Sequence, residues 1–260
     1  EKGQVLVNGK PVLTDEDKIF YSDSLAALTW NRSTNFLRVG QRSGEGGITG
    51  FIEWKKHQLL VFKRRRVYLL DVSNASPALW TSTVLIDGVG LARISRPLLV
   101  GDDVYFLGGD GLHSINTILA AGKNVNLAEE IMTTYTTDGN PFQYLAYFKN
   151  SIWMTSATPQ QFLTYHLPTK RWAVQTLPSA GSTPRNFTLR PITSGYDTMQ
   201  LLCFVNVDVN DPACVEIGDY ANTADYDSTN ISYTEETHAL LFGRPENRKR
   251  AQAFHLHFLR

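Results

Sequence analysis

Short runs of apolar residues recur along this chain at a nearly constant spacing. The first apolar residues after successive polar turns are Val12, Leu59, Val104, Ile152 and Met199, which are separated by 47, 45, 48 and 47 residues. A period of roughly 40–50 residues is typical of proteins in which one supersecondary unit is copied along the chain. The pattern therefore predicts a repeat protein of about five units.

Each unit contains strands separated by tight polar turns. The clearest unit has apolar runs at residues 49–54, 59–62 and 67–70, separated by the polar segments 55–58 and 63–66. Runs of this length, rich in Val, Ile, Phe, Tyr and Trp, predict β-strands. Asn-Gly and Gly-Asp pairs at other turns tolerate the positive φ that tight hairpins require.

A fourth strand per unit is predicted at residues 35–39, 80–86 and 171–177. Three to four antiparallel strands, repeated radially, define the blade of a β-propeller. The apolar runs are continuous rather than alternating, which favours strands buried on both faces. The fold class predicted is therefore all-β, a propeller of antiparallel blades, with a linear stack of the same units as the open alternative. One helix is predicted at residues 127–134, with Asn126 as its N-cap and Glu129 and Glu130 in its first turn.

The repeats define the expected domain organisation. Residues 1–225 hold about five units, and residues 226–260 form a β segment that continues or closes the propeller. The chain begins at Glu1 and ends on a strand-like segment at residues 254–259. We therefore expect it to be a fragment of a longer protein.

Charge is balanced, with 25 basic and 25 acidic residues, so the chain has no general basic excess to bind nucleic acid. The densest cluster is Lys63, Arg64, Arg65 and Arg66, with Lys55 and Lys56 nearby in sequence. One interpretation is a solvated hairpin tip. The other is a contact with an anion or an acidic partner, including a DNA backbone, which would be independent of base sequence and sensitive to salt. No apolar run is long enough to predict a membrane-spanning helix.

No specific catalytic, cofactor-binding or metal-binding pattern is present, so the sequence predicts a protein that is not an enzyme and needs no cofactor. His255 and His257 share one face of a predicted strand, but further ligands for a metal are not positioned. Cys203 and Cys214 lie on successive strands of one hairpin, where a reduced pair is favoured over a disulfide. The tryptophans are predicted to pack between blades rather than to stack on sugars. They are Trp30, Trp54, Trp80, Trp153 and Trp172.

Three stretches of the sequence stand out, namely residues 48–71, 98–115 and 147–154. They are preceded by Ile19-Phe-Tyr-Ser-Asp-Ser, Trp30 and Asn35-Phe36. Together these stretches resemble the β-propeller structural proteins of tailed bacteriophages. The resemblance covers residues 19–175 best. It implies a tail hub, nozzle or collar component located in the virion, without catalytic residues. It further implies a homo-oligomeric ring around the DNA channel that contacts fibres and neighbouring tail proteins.

Two other functions remain open. Gly108-Gly109 and the segment 165–172 each resemble part of a kelch repeat, which would indicate a protein-interaction propeller, but each occurs only once. A carbohydrate-binding or carbohydrate-active propeller is the second alternative. A glycosidase would require two carboxylates about 5–10 Å apart in a pocket.

Overall fold

The computed structural model describes residues 4–7, 10–13, 16–22, 31–40, 46–92, 95–129, 131, 142–156, 161–176, 183–191, 199–208, 211–217 and 232–235. The chain divides into two compact units, residues 1–145 and 146–260. The domain boundary that the sequence predicts at residues 225–226 lies outside the described residues.

The first unit begins with two short antiparallel hairpins. They form two separate two-stranded sheets. In the second hairpin, Ile19 is paired with Leu37 and Phe20 with Phe36. The four strands are β1 (Gln4–Val7), β2 (Lys10–Leu13), β3 (Lys18–Phe20) and β4 (Phe36–Arg38).

A four-stranded antiparallel meander follows, with neighbouring strands paired in chain order. Two-residue turns join its first three strands, as the polar segments predict. His57, in the first of these turns, has a φ of 61°, the left-handed conformation that tight turns require. A 3₁₀ turn at Pro77–Leu79 precedes the last strand. The strands are β5 (Ile48–Lys55), β6 (Gln58–Lys63), β7 (Arg66–Asp71) and β8 (Thr81–Asp87).

A three-stranded sheet and a short helix complete the first unit. The strands are β9 (Leu98–Val100), β10 (Asp103–Leu107) and β11 (Leu112–Ser114). Helix α1 (Ile115–Ala121) follows β11 directly, where the sequence predicted no helix. The Ser114 hydroxyl accepts a hydrogen bond from the Thr117 amide at 3.0 Å, which satisfies one of the free N–H groups of the first turn. Gly122 ends the helix with a φ of 64°.

The central strands β6 and β7 of the sheet β5–β8 are buried on both faces, as their continuous apolar runs predict. One face packs against the hairpin β3–β4, and the other packs against β10 and α1. Full burial of each large apolar side chain stabilises the folded state by roughly 1.5–3 kcal/mol. The first cluster is Val39, Val61, Tyr68 and Leu70, and the second is Leu60, Phe62, Val67, Ile86, Val89, Leu91, Val104, Phe106, Ile115 and Ile118.

The second unit contains two further antiparallel sheets. The strands are β12 (Phe142–Phe148), which spans the boundary between the units, β13 (Ser151–Ser156), β14 (Gln161–His166), β15 (Arg171–Thr176), β16 (Thr183–Pro191), β17 (Met199–Asp208), β18 (Asp211–Ile217) and β19 (Ser232–Glu235). The first sheet has the order β12-β13-β14-β15-β19, and the second has the order β16-β17-β18. Ile152, Met154 and Leu163 are fully buried, and the rings of Tyr165 and Trp172 are tilted with centroids 4.8 Å apart.

The predicted all-β class is confirmed, because most described elements are strands of antiparallel sheets. The five repeat markers all fall within the first three residues of the second strand of a sheet, namely β2, β6, β10, β13 and β17. A closed propeller is not seen among the described residues.

Of the predicted helix at 127–134, residues 130 and 132–134 lie outside the described part, but the Asn126 side-chain oxygen does accept the Ala128 amide at 2.9 Å.

Candidate functional site

The basic cluster predicted from the sequence lies at the hairpin between β6 and β7. Phe62 and Val67 are the last paired residues before the turn. Lys63 ends β6, Arg66 begins β7, and the exposed residues Arg64 and Arg65 form the turn itself. Four consecutive basic residues therefore occupy three different environments.

Lys63 is a buried residue, with only 1% of its surface exposed. Its ammonium nitrogen donates a hydrogen bond to the carbonyl oxygen of Gly40 at 2.6 Å and lies 5.9 Å from the centre of the Tyr68 ring. Burying an ammonium group is costly unless polar partners replace its hydration. The carbonyl and the aromatic face supply such partners, and Lys63 is therefore not part of an exposed basic surface.

Arg66 is bound to Asp87, the last residue of β8. The Arg66 Nε donates to Asp87 Oδ1 at 2.6 Å, and an Nη donates to Oδ2 at 3.3 Å. Asp87 Oδ1 also accepts the amide of Gly88 at 2.9 Å. The Arg66 side chain is 19% exposed and that of Asp87 is 66% exposed. Arg66 therefore anchors the base of the hairpin to the neighbouring strand.

The loop after β8 holds the hairpin turn through its backbone. The Leu91 amide donates to the Lys63 carbonyl oxygen at 3.0 Å. Gly90 lies so close to the turn that a Cβ atom there would overlap the same carbonyl oxygen and would stand 2.8 Å from the Arg66 amide nitrogen. A side chain cannot be accommodated, so glycine is the residue that permits this contact.

Lys55 and Lys56, which are near the basic cluster in sequence, lie apart from it in the structure. They lie at the β5–β6 turn, at the opposite end of strand β6 from Lys63. Six strand residues at about 3.3 Å each separate the two ends by roughly 20 Å. The Lys55 ammonium lies 4.1 Å from the centre of the Trp54 ring instead.

Two exposed guanidinium groups therefore remain at the turn, on Arg64 and Arg65. Within the described part of the chain, neither forms an ion pair. A guanidinium presents five donors in a planar fork that matches carboxylate and phosphate oxygens. The arrangement can bind an anionic group of a partner, from a turn that Gly90, Lys63 and Arg66 hold in place.

A second polar cluster, which the sequence did not single out, surrounds His113. This residue has no exposed surface. Its Nδ1 lies 2.8 Å from the Val125 carbonyl oxygen, and its Nε2 lies 2.8 Å from Asp110 Oδ1. The hydrogen bond from His113 lowers the pKa of the Asp110 carboxyl, against the opposing effect of partial burial. Because both ring nitrogens already have partners and no solvent reaches the ring, this cluster fixes the turn between β10 and β11.

The Ser114 hydroxyl belongs to a third cluster. It donates to Asp103 Oδ2 at 2.6 Å and accepts the amide that begins α1. Asp103 Oδ1 accepts the amides of Val104 and Asn116 at 2.8 and 3.0 Å. The carboxylate thus joins β10 to the first turn of α1. In the sequence, the signal for this cluster is Ser114 as an N-cap together with the acidic residue Asp103 upstream of it.

The remaining predicted residues have separate positions. The β17–β18 register pairs Cys203 with Val215 and Cys214 with Phe204, so the cysteines are not direct cross-strand partners. Trp153 and Trp172 are each 8% exposed, which confirms packing for these two. His255, His257 and Trp30 lie outside the described residues.

Within the described ranges, no group of three potential metal ligands occurs, and no helix is long and apolar enough to cross a membrane.

Comparisons with known proteins add little to this picture. No protein-family model matches the chain, and no curated protein matches it. Nine solved chains match. One of them, described as "Crystal structure of the computationally designed Ika4 protein", is 12% identical, covers 69% of this chain and 97% of its own, and superposes with a TM-score of 0.41. At that score the similarity carries no argument about fold or function.

Proposed function

We propose that this chain is a structural component of a virion, a β-propeller of the tail hub or nozzle type. Copies of it form a ring around the DNA channel and bind neighbouring tail proteins or fibres. The proposal treats the chain as non-enzymatic, with its function residing in rigid sheets and in the turns that join them.

One structural observation supports the propeller above all others. The residues that mark the 47-residue repeat lie within the first three residues of the second strand in five of the six described antiparallel sheets. Units that repeat with the same strand order and spacing are what a radial array of blades requires. The burial of the central strands β6 and β7 on both faces is the arrangement that a blade between two neighbours would have. The virion assignment rests on the resemblance of residues 19–175 to tail propeller proteins.

The hairpin turn at Arg64 and Arg65 is the proposed contact with an anionic partner. In a ring around DNA, this turn would meet either phosphates or an acidic neighbour. Lys63 and Arg66 hold this turn in place through their hydrogen bonds to Gly40 and Asp87. Of the four basic residues predicted from the sequence, two are therefore proposed to make the contact and two to position it.

Negative-stain electron microscopy of the purified protein, with two-dimensional class averages, tests the proposal. Rings with an open axial channel are expected. Isolated small discs at all protein concentrations would contradict the ring and would favour a monomeric interaction or carbohydrate-binding propeller, for which glycan binding is the next measurement.

A further inference from the structure

The outer edge of strand β8 differs from the equivalent edge in the second unit. Strands β8 and β15 are each the last strand of a four-stranded meander, β5–β8 and β12–β15. In the second unit, β19 adds to β15 as a fifth, antiparallel strand, with Val174 paired to Thr234 and Thr176 to Ser232. Among the described residues, no strand pairs with the outer side of β8.

The edge of β8 is built to accept a strand of four residues. Residues 81–84 pair regularly with β7, from Asp71–Thr81 to Tyr68–Val84, and a register shift follows between Val67 and Tyr68. A shift of this kind is a β-bulge, which ends regular pairing. The segment Thr81-Ser82-Thr83-Val84 before the bulge has no proline and no charged residue. Prolines and charged residues are among the features that usually block pairing at a sheet edge. Strand β19 also has four residues.

Apolar side chains beside this edge are exposed. Val84 is 52% exposed, and Leu79, in the 3₁₀ turn just before β8, is 62% exposed. An added strand would cover part of this surface while its backbone satisfies the edge N–H and C=O groups, the mode known as β-augmentation.

The same chain contains a two-stranded hairpin to which no further strand adds within the described ranges. Among the described residues, β1 pairs only with β2, and an isolated two-stranded hairpin is marginally stable in water. Strand β2 contains Pro11, which has no N–H group to offer to a further strand. Strand β1 (Gln4–Val7) has four residues and no proline, so it is the side of the hairpin that can join another sheet.

We infer that the edge of β8 receives strand β1 of a second copy of this chain. The acceptor and donor are different surfaces, so each copy carries one of each. A contact between different surfaces is heterologous, and it repeats from copy to copy until a ring closes or a filament extends. The inference rests on the proposed assembly of copies and names the surfaces that make it.

The test compares self-association of the intact chain with that of two lysine variants. Val84→Lys places a charge at the end of the acceptor segment 81–84, next to the bulge, and lysine on an edge strand blocks strand addition. Leu119→Lys is the matched control, because Leu119 is an exposed apolar residue, 43% exposed, on helix α1. We expect Val84→Lys to weaken association measured by sedimentation velocity about ten-fold or more, and Leu119→Lys to leave it unchanged.

Amide hydrogen exchange at low and high protein concentration identifies the donor. We expect protection to rise with concentration in both 81–84 and 4–7. A rise confined to 81–84 would mean that two β8 strands pair about a two-fold axis, which overturns the inference. A chain that assembles equally well with Val84→Lys also overturns it and leaves the proposed ring intact. A wild-type chain that stays monomeric at every concentration contradicts the ring itself and this contact with it.

Discussion

The Nε2 of His113 lies 2.8 Å from Oδ1 of Asp110, across the turn that joins β10 to β11. The histidine ring is fully buried and stacks on Phe106 with centroids 5.2 Å apart. The carboxylate, by contrast, is 58% exposed. The pair therefore connects the interior of the first unit to a surface group that solvent can titrate.

Replacement of Asp110 by Asn should make the stability of the protein less dependent on pH at the acid end. The pKa of Asp110 is lowered in the folded chain, so its stabilising contribution is present above the unfolded value of about 3.9 and is lost as pH falls through the folded value. At pH 7 we expect Asp110→Asn to reduce the free energy of unfolding by about 1 kcal/mol, allowing for solvent screening of the exposed carboxylate.

Urea denaturation from pH 7 down to pH 2.5 measures this difference, which should shrink towards zero in acid. Asp102→Asn is the control, since Asp102 lies on the exposed turn before β10 and its backbone carbonyl, which accepts the Trp54 indole N–H, is kept by the substitution. A constant difference between wild type and Asp110→Asn at all pH values would contradict the assignment.

Gly90→Ala should destabilise the first unit strongly. The new Cβ would overlap the Lys63 carbonyl oxygen, and the surrounding atoms are backbone, which cannot move aside cheaply. Overpacking of this kind costs about 1–3 kcal/mol. Gly109→Ala is a matched control, because a Cβ at Gly109 would meet no atom within 4 Å. Thermal unfolding of both variants measures the effect, and equal melting temperatures would show that the loop after β8 does not hold the hairpin.

Substitutions of Lys63 should separate packing from charge. Lys63→Met keeps most of the volume but removes the ammonium that donates to the Gly40 carbonyl oxygen, and the loss of such a hydrogen bond is expected to cost about 1 kcal/mol. Lys63→Ala leaves a cavity and is expected to cost about 2–4 kcal/mol. Denaturant titration of the two variants provides the comparison. If Lys63→Met is as destabilising as Lys63→Ala, the hydrogen bond to Gly40 rather than side-chain volume dominates.

Replacement of both Arg64 and Arg65 by Ala should weaken binding to polyanions without affecting the fold. If each arginine neutralises one phosphate, the slope of log K against log salt for a DNA duplex falls in magnitude by about 1.8. Fluorescence anisotropy with a 30-base-pair duplex, an arbitrary length of about three helical turns, measures the slope.

The double variant of Lys55 and Lys56 to Ala removes the same charge from the opposite end of β6 and serves as the control. An equal loss of binding in both variants would show a diffuse effect of net charge. No DNA binding by the wild type, with binding to an acidic protein neighbour that needs Arg64 and Arg65, would identify that neighbour as the partner.

The hairpins were predictable from sequence because their signals are local. The turn at Lys149 and Asn150, where both residues have positive φ, is one example, since asparagine tolerates that conformation. Helix α1 was missed because its seven residues are too few for a helical period to stand out. Strand β16 was missed because Pro184, Arg185 and Asn186 interrupt its apolar pattern, and pairing with β17 gives it an extended conformation that its own residues do not indicate.

The candidate site was located by the sequence, but its composition was not. The four residues Lys63 to Arg66 all carry a positive charge. The burial of each side chain, however, depends on which strand or loop packs against it. The partners that bury Lys63 and anchor Arg66 are Gly40 and Asp87, each more than twenty residues away in the chain. No local pattern reports such distant contacts, so the sequence could not divide the run into supporting and exposed members.

The pairing of β19 with β15 has a consequence for the order of events during synthesis. Thr176 pairs with Ser232, which lies 56 residues further along the chain. The fifth strand can therefore form only after Ser232 has been synthesised. Contacts over such separations form late, because closing a long loop costs chain entropy before the contact compensates for it. While the ribosome is still adding those residues, β15 is an open edge beside other nascent chains. Strand β19 therefore covers the β15 edge only late in synthesis, and until it forms the unfinished protein is exposed to aggregation.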